Sequence, residues 1–520
     1  MEQRYLDDLC NPANYPEPTT TVEFLQTHVS YLFLTEHFVY KVKKPVDFGF
    51  LNFSSIDRRR FYCNEEVRLN RRLSPDVYLG VVEVRETPAG AAFDGDGPVL
   101  DYAVKMRRLP AERMLDRLLA LGAVSEADIR LVARTIAAFH QAAERGPEIA
   151  AYGTLDVIRQ NWQENFQQLE PFVGSCLTDQ DRNRLKEWVE HAMASRVELF
   201  ARRAATGCIR DCDGDLHLEN ICLADQVYIF DCIEFNSRFR YCDTAADLAF
   251  LLMDLELHGR CDLAAVLLDE YLAMTGDQEA PLLLDFYKVY RAVIRGKVNA
   301  FRLADPHIPP AEQKGARTMA SRYFRLARGY LLQEQLSPTL FITCGHVGSG
   351  KSTVAAQLGS DLALPLFSSD LVRKRLAGIP PTSRQLDQPG RGLYDNDHTI
   401  RTYQELLALA ERELAGGRSV IVDATFRRQH DRREFATMAA RHGAACIILH
   451  TVCPEELLLT RLTTRQTDPA SISDGRVELL PLHRQEFIAP TTAEGRLLTI
   501  DTSATPFAIV DDILQRLELL

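Results

Sequence analysis

The run Gly345-His346-Val347-Gly348-Ser349-Gly350-Lys351-Ser352, followed by Thr353, satisfies G-x-x-x-x-G-K-[S/T] at every fixed position. A β-type run, LFITC, precedes it and a helical run, STVAAQL, follows it. Each residue type has a physical reason. Glycines let the backbone curl so that successive N–H groups aim at phosphate oxygens. The start of the next helix adds positive potential. In such a loop, the residues 345–353 cradle a nucleotide, Lys351 reaches its β- and γ-phosphates, and the Ser352 hydroxyl ligates Mg2+. A chance match in a glycine-rich turn would not bring the strand and the helix with it.

Three later segments extend this chemistry. SVIVD closes an apolar strand on Asp423, where a second Mg2+ anchor belongs. SSDLVRKR puts Asp370 and Arg373 three residues apart, on one face of a helix start. Asp370 there can take the proton of an attacking hydroxyl, and Arg373 can hold acceptor or phosphate charge. Simple N-capping is the plainer role for Asp370. Arg461 and Arg465, four apart in a predicted helix, fit a lid over the triphosphate; a solvated basic face is the alternative.

A second constellation lies upstream. Arg210-Asp-Cys-Asp213-Gly214-Asp215-Leu-His217-Leu-Glu-Asn220-Ile is followed by Val-Tyr-Ile-Phe-Asp231-Cys-Ile-Glu234. An Asp, an Asn five residues on, and a short strand ending in another Asp are what a protein-kinase-like site needs. Asp215 accepts the hydroxyl proton, while Asn220 and Asp231 hold Mg2+ against the phosphates. An Asp/Asn-rich hairpin is the bland reading.

The elements that must position these groups follow from periodicity. FVYKVKKPVDFGF reads as strand and bend, and SSIDRRRFYCNEEVRLNRRL as a helix capped by Ser54 or Ser55. Strand patterns recur at 77–84 and 99–106, around a Gly-rich turn. From Pro110 to about 200 the pattern is helical, at 208–233 it is strands and loops, and from Thr244 to about 332 it is helical again. Pro338 punctuates a change to alternating strand and helix signals, the rhythm of a parallel sheet. His140 sits on an apolar helix face as a core histidine. Trp162 and Trp188 read as packing anchors, and IRQNWQENFQQLEPF as an ordinary amphipathic helix rather than an acceptor wall.

The whole chain has 520 residues, about three domains' worth, and 46% are hydrophobic. Its 60 basic and 72 acidic residues give a formal charge of −12, against a broad nucleic-acid-coating surface. No apolar run approaches the roughly 18 residues of a membrane span, and the first residues lack a secretory pattern, so a cytoplasmic protein is expected. The 12 cysteines contain no C-x-x-C pair, which points to reduced thiols rather than a metal site.

Residues 335–520, through GHVGSGKS, SSDLVRKRL, YQELLALAERELAGGRSVIVDATF and RLTTR, resemble the P-loop kinases that include gluconate and shikimate kinases, polynucleotide 5′-kinases and zeta-type toxins. The resemblance implies phosphoryl transfer from Mg·ATP or Mg·GTP to a hydroxyl. GDLHLENI…IFDCIEF resembles the aminoglycoside phosphotransferase and choline kinase family, with the likeness running over about 20–330. That likeness implies Asp215 as base, Asn220 and Asp231 as metal ligands, His217 as a loop residue and Asp247 as the organiser of the loop. It makes Lys41 with Glu66 the phosphate lysine and its helical partner, with Lys43 and Glu65 as alternatives, and MRRLP the hinge at the adenine. The family's His before Gly-Asp is Asp213 here, and THVSYLFLTEHF contains no glycine where that fold covers the phosphates.

The expected architecture is therefore α/β and α+β in two domains. Residues 1–332 form a bilobal, aminoglycoside-phosphotransferase-like domain, with a small lobe at about 1–108 and a helical lobe at about 109–332. Residues 335–520 form a P-loop NTPase parallel sheet with flanking helices. The expected function is a bifunctional phosphotransferase acting on hydroxyls of a small molecule. The alternative is a regulatory or substrate-binding first domain beside a nucleotide switch or a polynucleotide 5′-hydroxyl kinase.

Overall fold

The computed structural model describes residues 2–88, 90–304, 308–380, 383, 392–467 and 476–519. The chain forms two compact units: Met1–Gln167 with Glu190–Asp254 and Leu263–Arg291, and Gln168–Val189 with Leu255–Asp262 and Ala292–Leu520.

The first unit begins with a six-stranded antiparallel sheet: β1 (Glu23–Gln26), β2 (Ser30–Leu34), β3 (Phe38–Lys43), β4 (Tyr78–Thr87), β5 (Gly90–Phe93) and β6 (Val99–Arg107), in the order β1-β2-β3-β6-β4-β5. Period-two alternation divides β3 between two faces. Tyr40 and Val42 enter an apolar cluster with Phe33, Val84, Phe93 and Ala103. Lys41 and Lys43 therefore point to the other face, toward the helix Ile56–Asn70. Ser55 caps that helix by accepting the Arg58 N–H at 3.3 Å. Its orientation is fixed by Arg59 Nε on Asp101 at 2.8 Å and by Cys63 and Val67 packing on Tyr78 and Val104. Glu66, one residue before Val67, is thereby carried to β3.

Downstream, two short antiparallel ladders frame the loops: β7 (Ile209–Asp211) with β10 (Tyr241–Asp243), and β8 (Ile221–Leu223) with β9 (Val227–Ile229). The helix Glu126–Ala142 starts in a Ser125/Asp128 capping box and buries Ile129, Val132, Ile136 and His140 on one face.

The second unit contains a five-stranded sheet of β11 (Thr339–Cys344), β12 (Leu366–Ser368), β13 (Val420–Asp423), β14 (Ala445–Val452) and β15 (Arg496–Asp501), ordered β12-β13-β11-β14-β15. Every pairing is parallel. Parallel strands covered on both faces must be apolar throughout, and β11 and β13 are buried along their length. Helices Lys351–Asp361 and Pro506–Arg516 cover one face through Val354, Leu358, Val510 and Ile513. Helices Asn396–Ala415 and Gln429–Arg441 cover the other through Leu406, Ala410, Phe435 and Met438. Among the described residues no helix is long and apolar enough to cross a membrane.

Candidate active sites

In the first unit, Glu66 is shared by both lysines of β3. Its carboxylate lies 2.8 Å from Lys41 Nζ and 2.6 Å from Lys43 Nζ. Lys41 also reaches Asp231 at 2.5 Å, and Lys43 pairs with Glu234. Burial opposes the charge on Glu66, but the two ammonium groups overcome it and hold the carboxyl at about 2. Burial likewise works against Lys41, and Asp231 and Glu66 overcome it, so that its pKa lies well above the ordinary lysine value. Glu65 lies on the outer side of the helix, paired with Arg68 at 2.8 Å. The sequence reading attaches no role to Glu234; its spacing of three from Asp231 was the available signal.

The loop carrying Asp215 hangs on Asp247. That carboxylate accepts the backbone N–H groups of Asp213 (3.0 Å) and Gly214 (2.8 Å), and His140 Nε2 lies 3.1 Å from it. Burial disfavours ionised Asp247, and the His140 and Arg291 contacts reverse this, lowering its pKa. Gly214 has φ +87°, and a Cβ there would stand 3.0 Å from the Phe239 carbonyl oxygen. The Asp215 N–H donates to Asp213 Oδ1 at 3.1 Å. Asp213, where the resembled family has His, has its pKa pushed well above the carboxylate range by burial and by the charge of Asp247. His217 is buried in the same loop, with Nε2 3.4 Å from Asp215 Oδ2.

Asn220 Nδ2 donates to the Asp215 carbonyl at 3.0 Å and to its Oδ2 at 3.3 Å. Asp231 has φ +65°, a left-handed conformation that Asp tolerates better than most residues, and its N–H is held by the Tyr78 hydroxyl at 3.1 Å. The structure thus brings Lys41, Glu66 and Asp231 into one contact set, and Asp215 with Asn220 into another. The turn between β1 and β2 offers no free amides to a phosphate at two of its positions: Thr27 Oγ1 accepts the N–H groups of Val29 (3.3 Å) and Ser30 (3.0 Å).

In the second unit, the loop Gly345–Gly350 joins β11 to the helix Lys351–Asp361. Gly348 has φ +81°, and a Cβ on it would lie 2.8 Å from Leu462 Cγ, so the loop tolerates no side chain there. Val347 packs on Leu458, Leu462 and Leu480, and Ser349 Oγ meets Thr451 Oγ1 at 2.7 Å. Lys351 is buried and donates to the His346 carbonyl at 2.7 Å. Its pKa is lowered by burial, only partly offset by Asp423, Cys344 and Asp370. Ser352 and Thr353 are exposed on the first helical turn. Asp423 ends β13 with its carboxylate held by Thr343 Oγ1 at 2.9 Å.

Asp370 lies in the first turn of the helix Ser369–Leu376. Arg373 does not stand beside it as a free cation: its Nη1 donates to the Leu393 carbonyl (2.9 Å) and Thr399 Oγ1 (3.3 Å), and its guanidinium lies 4.9 Å from the Tyr394 ring centre. On the helix Glu455–Thr467, Arg461 donates to Thr502 Oγ1 (2.8 Å) and the Thr502 carbonyl (2.6 Å). Thr502 Oγ1 in turn donates to the Ser349 carbonyl at 2.9 Å, which docks this arginine against the phosphate loop. Arg465 lies one turn further along and depresses the Lys351 pKa. The sequence reading missed a group of imidazoles here: His346 and His450 ring centres lie 4.6 and 5.8 Å from that of Phe487. His483 belongs to the same neighbourhood, and burial with the charges of Arg427 and Lys351 lowers its pKa to about 4.

Magnesium fits both sets by chemistry, since it takes hard oxygen ligands. In the second unit these are the Ser352 hydroxyl and the Asp423 carboxylate. In the first they are Asp231 and the amide oxygen of Asn220, whose nitrogen is already used by Asp215.

A family profile described as an AAA domain matches residues 340–487, the part that carries the phosphate loop and the parallel sheet except β15. Over 452 residues the chain is 30% identical to "Uncharacterized protein Rv2004c" of Mycobacterium tuberculosis (strain ATCC 25618 / H37Rv), covering 86% of this chain and 88% of that protein. The chain belongs to that protein's family. The relative "Uncharacterized protein Mb2027c" of Mycobacterium bovis matches with the same identity and coverage. Among solved structures, a putative kinase from Chloroflexus aurantiacus J-10-fl is 25% identical, over 35% of this chain and 97% of that one, with a TM-score of 0.29. A gluconokinase from Sinorhizobium meliloti 1021 is 23% identical, over 35% and 93%, with a TM-score of 0.25. A choline/ethanolamine kinase family protein from Mesorhizobium loti is 14% identical, over 59% and 88%, with a TM-score of 0.36. The motif and the sheet topology, rather than these scores, make the second unit a kinase-like, nucleotide-binding P-loop domain, and the α/β and α+β two-part fold stands on the same ground.

Proposed function

We propose that the chain is a phosphotransferase with two Mg·nucleotide sites, one in residues 1–332 and one in 335–520, each passing a γ-phosphoryl group to a hydroxyl. The observation that carries the reading is the phosphate loop, where the buried Lys351 donates to the His346 carbonyl while Asp423 closes the neighbouring strand. Lys351 would bind the β/γ-phosphates of ATP or GTP, Asp370 would take the acceptor proton, and Arg461 and Arg465 would neutralise charge. Mg2+, when bound, neutralises phosphate charge and orients the γ-phosphoryl group. In the first site Asp215 would act as base and Lys41 as the phosphate contact, Glu66 holding that lysine in place. The expected compartment is the cytoplasm, and the expected acceptor a small molecule rather than nucleic acid or membrane.

A second reading has its own support. The β1–β2 turn has no glycine and spends two amides on Thr27, so the first unit would cover nucleotide phosphates poorly. On that reading it senses or binds a ligand while the second unit performs the transfer. A screen with γ-radiolabelled ATP over metabolites, nucleosides and oligonucleotides, run on wild type, Asp215→Ala and Lys351→Ala, separates the two. Two products, each lost in one variant, support two catalytic sites. A single product, lost only in Lys351→Ala, supports a regulatory first unit. Labelling of oligonucleotide 5′ ends would replace the small-molecule acceptor of the second site.

A further inference from the structure

Four phenylalanines from two distant stretches meet beside the Asp215 loop. Ring centres are 6.1 Å apart for Phe48 and Phe50, 6.3 Å for Phe50 and Phe235, 6.3 Å for Phe50 and Phe239, and 6.4 Å for Phe235 and Phe239. Asn236 Nδ2 ties the stretches together by donating to the Phe50 carbonyl at 3.2 Å. Phe48 is 48% exposed, and the other three rings are half-buried. Four rings built into one cluster and left half in water are an unspent apolar surface, of the kind that binding sites display.

Its place is specific. The Ile233 N–H donates to the Asp213 carbonyl at 3.2 Å, and a Cβ on Gly214 would meet the Phe239 carbonyl at 3.0 Å and Ile233 Cδ1 at 3.3 Å. The segment bearing Phe235 and Phe239 therefore lies directly on the two residues before Asp215.

Three of the carboxylates around it are paired with cations of the chain: Glu164 holds Arg238 at 2.8 and 2.5 Å, Asp211 holds Arg240 at 2.5 Å, and Glu234 holds Lys43. The exposed Asp47 accepts the Gly49 N–H at 2.9 Å and stands alone as an unpaired carboxylate on this rim among the described ion pairs, whereas a polycationic acceptor needs several carboxylates left open to it. The rings alone could attract a quaternary amine, but the Arg238 guanidinium already lies 5.3 Å from the Phe239 ring centre and repels a second cation.

We propose that Phe48, Phe50, Phe235 and Phe239 form the acceptor platform of the first site, and that its acceptor is an uncharged hydroxyl compound with a flat apolar body. The class of acceptor rests on the reading of Asp215 as base. In the transfer, the acceptor oxygen forms its bond to the γ-phosphorus as the bond from that phosphorus to the β,γ-bridging oxygen breaks. The hydroxyl proton passes to Asp215, and the nucleoside diphosphate leaves with the electron pair.

The test uses the full chain with Mg·ADP and three probes, 2-(2-naphthyl)ethanol, choline and neamine, in titrations followed by saturation-transfer NMR and calorimetry. Naphthylethanol is expected to bind saturably, to lose about tenfold or more of its affinity in Phe48→Ala and Phe239→Leu, and to resist displacement by choline or neamine. Phe48 is about half exposed and lies outside the buried core clusters, so its variant reports on binding, and melting curves check the folding of both. The proposal is overturned if no probe binds, if neamine or choline displaces naphthylethanol, or if both variants bind it unchanged. With Mg·ATP in place of Mg·ADP, phosphorylated naphthylethanol supports platform and base together. Phe-dependent binding without transfer supports the platform and removes the kinase reading of Asp215.

Discussion

The two units hold the lysines proposed to meet phosphate in opposite ways. Lys351 is buried against a carbonyl, that of His346, and its ammonium charge is destabilised by burial. Lys41 is buried against two carboxylates, Glu66 and Asp231, and its charge is stabilised by them. An anion arriving at Lys351 brings the charge that this ammonium lacks. An anion arriving at Lys41 must share it with carboxylates already in place, and Asp231 gains a reason to let go only if a cation arrives with the nucleotide. Lys41 is thus held by ion pairs within the chain and Lys351 by a neutral carbonyl, a difference of electrostatics on two unrelated folds.

The largest effect that can break this contrast is at Lys351. Lys351→Ala should lower transfer by the second site by roughly 10^3-fold or more, since a buried cation on the transferring phosphate acts at the developing charge itself; a loss below tenfold, by single-turnover assay, contradicts the role. Asp215→Ala should cost the first site about 10^2- to 10^4-fold, the range of a general base, with Mg·nucleotide affinity retained in equilibrium dialysis.

Glu66→Ala takes from the buried Lys41 and Lys43 the carboxylate they share, leaving each with one of its two partners, and should destabilise the first unit by roughly 3–5 kcal/mol in denaturant unfolding. The paired variant Lys43→Met with Glu234→Leu removes two charges together and should be far milder. Equal damage from both would dissolve the account of a saturated ionic cluster.

Arg461→Ala removes two hydrogen bonds to Thr502, and should raise the nucleotide Kd of the second unit by roughly tenfold with little change in melting temperature. The smallest effect concerns pH. His483 has its pKa lowered to about 4 in the folded chain from an ordinary value of 6.5. The unfolded chain binds the proton first, so this stability is fully present above 6.5 and is lost as pH falls toward 4. His483→Gln should flatten the thermal stability of the second unit across that window. The first unit's Glu66 gives its own contribution lower, lost between about 4.5 and 2.

Where local spacing defines a site, the sequence was readable. G-x-x-x-x-G-K-S fixes a loop whose atoms all come from neighbouring residues, and the D-x-x-x-x-N…D order singles out Asp215, Asn220 and Asp231 because the ten positions between Asn220 and Asp231 fold back as one hairpin. The helix cap at Ser55 was legible for the same reason. The role of Arg373 was not. Three-residue spacing from Asp370 says which face of the helix it occupies, but its partners Leu393 and Thr399 come from another element. Glu234 and the His346, His450 and His483 neighbourhood are invisible for that reason as well, since they form only when distant segments pack.

The sequence by itself determined the chemistry of the P-loop and the order of the kinase-like residues upstream, because these are carried by short backbone segments with fixed residue types. It also determined which strand face carries both Lys41 and Lys43, since a strand alternates with period two. Only the tertiary structure decided that one Glu66 serves both lysines, that Glu234 completes the set, and that Arg461 reaches the loop through Thr502. Those are long-range pairings, whose energies depend on burial and on charges from elements far apart in the chain, and no spacing along the sequence encodes them.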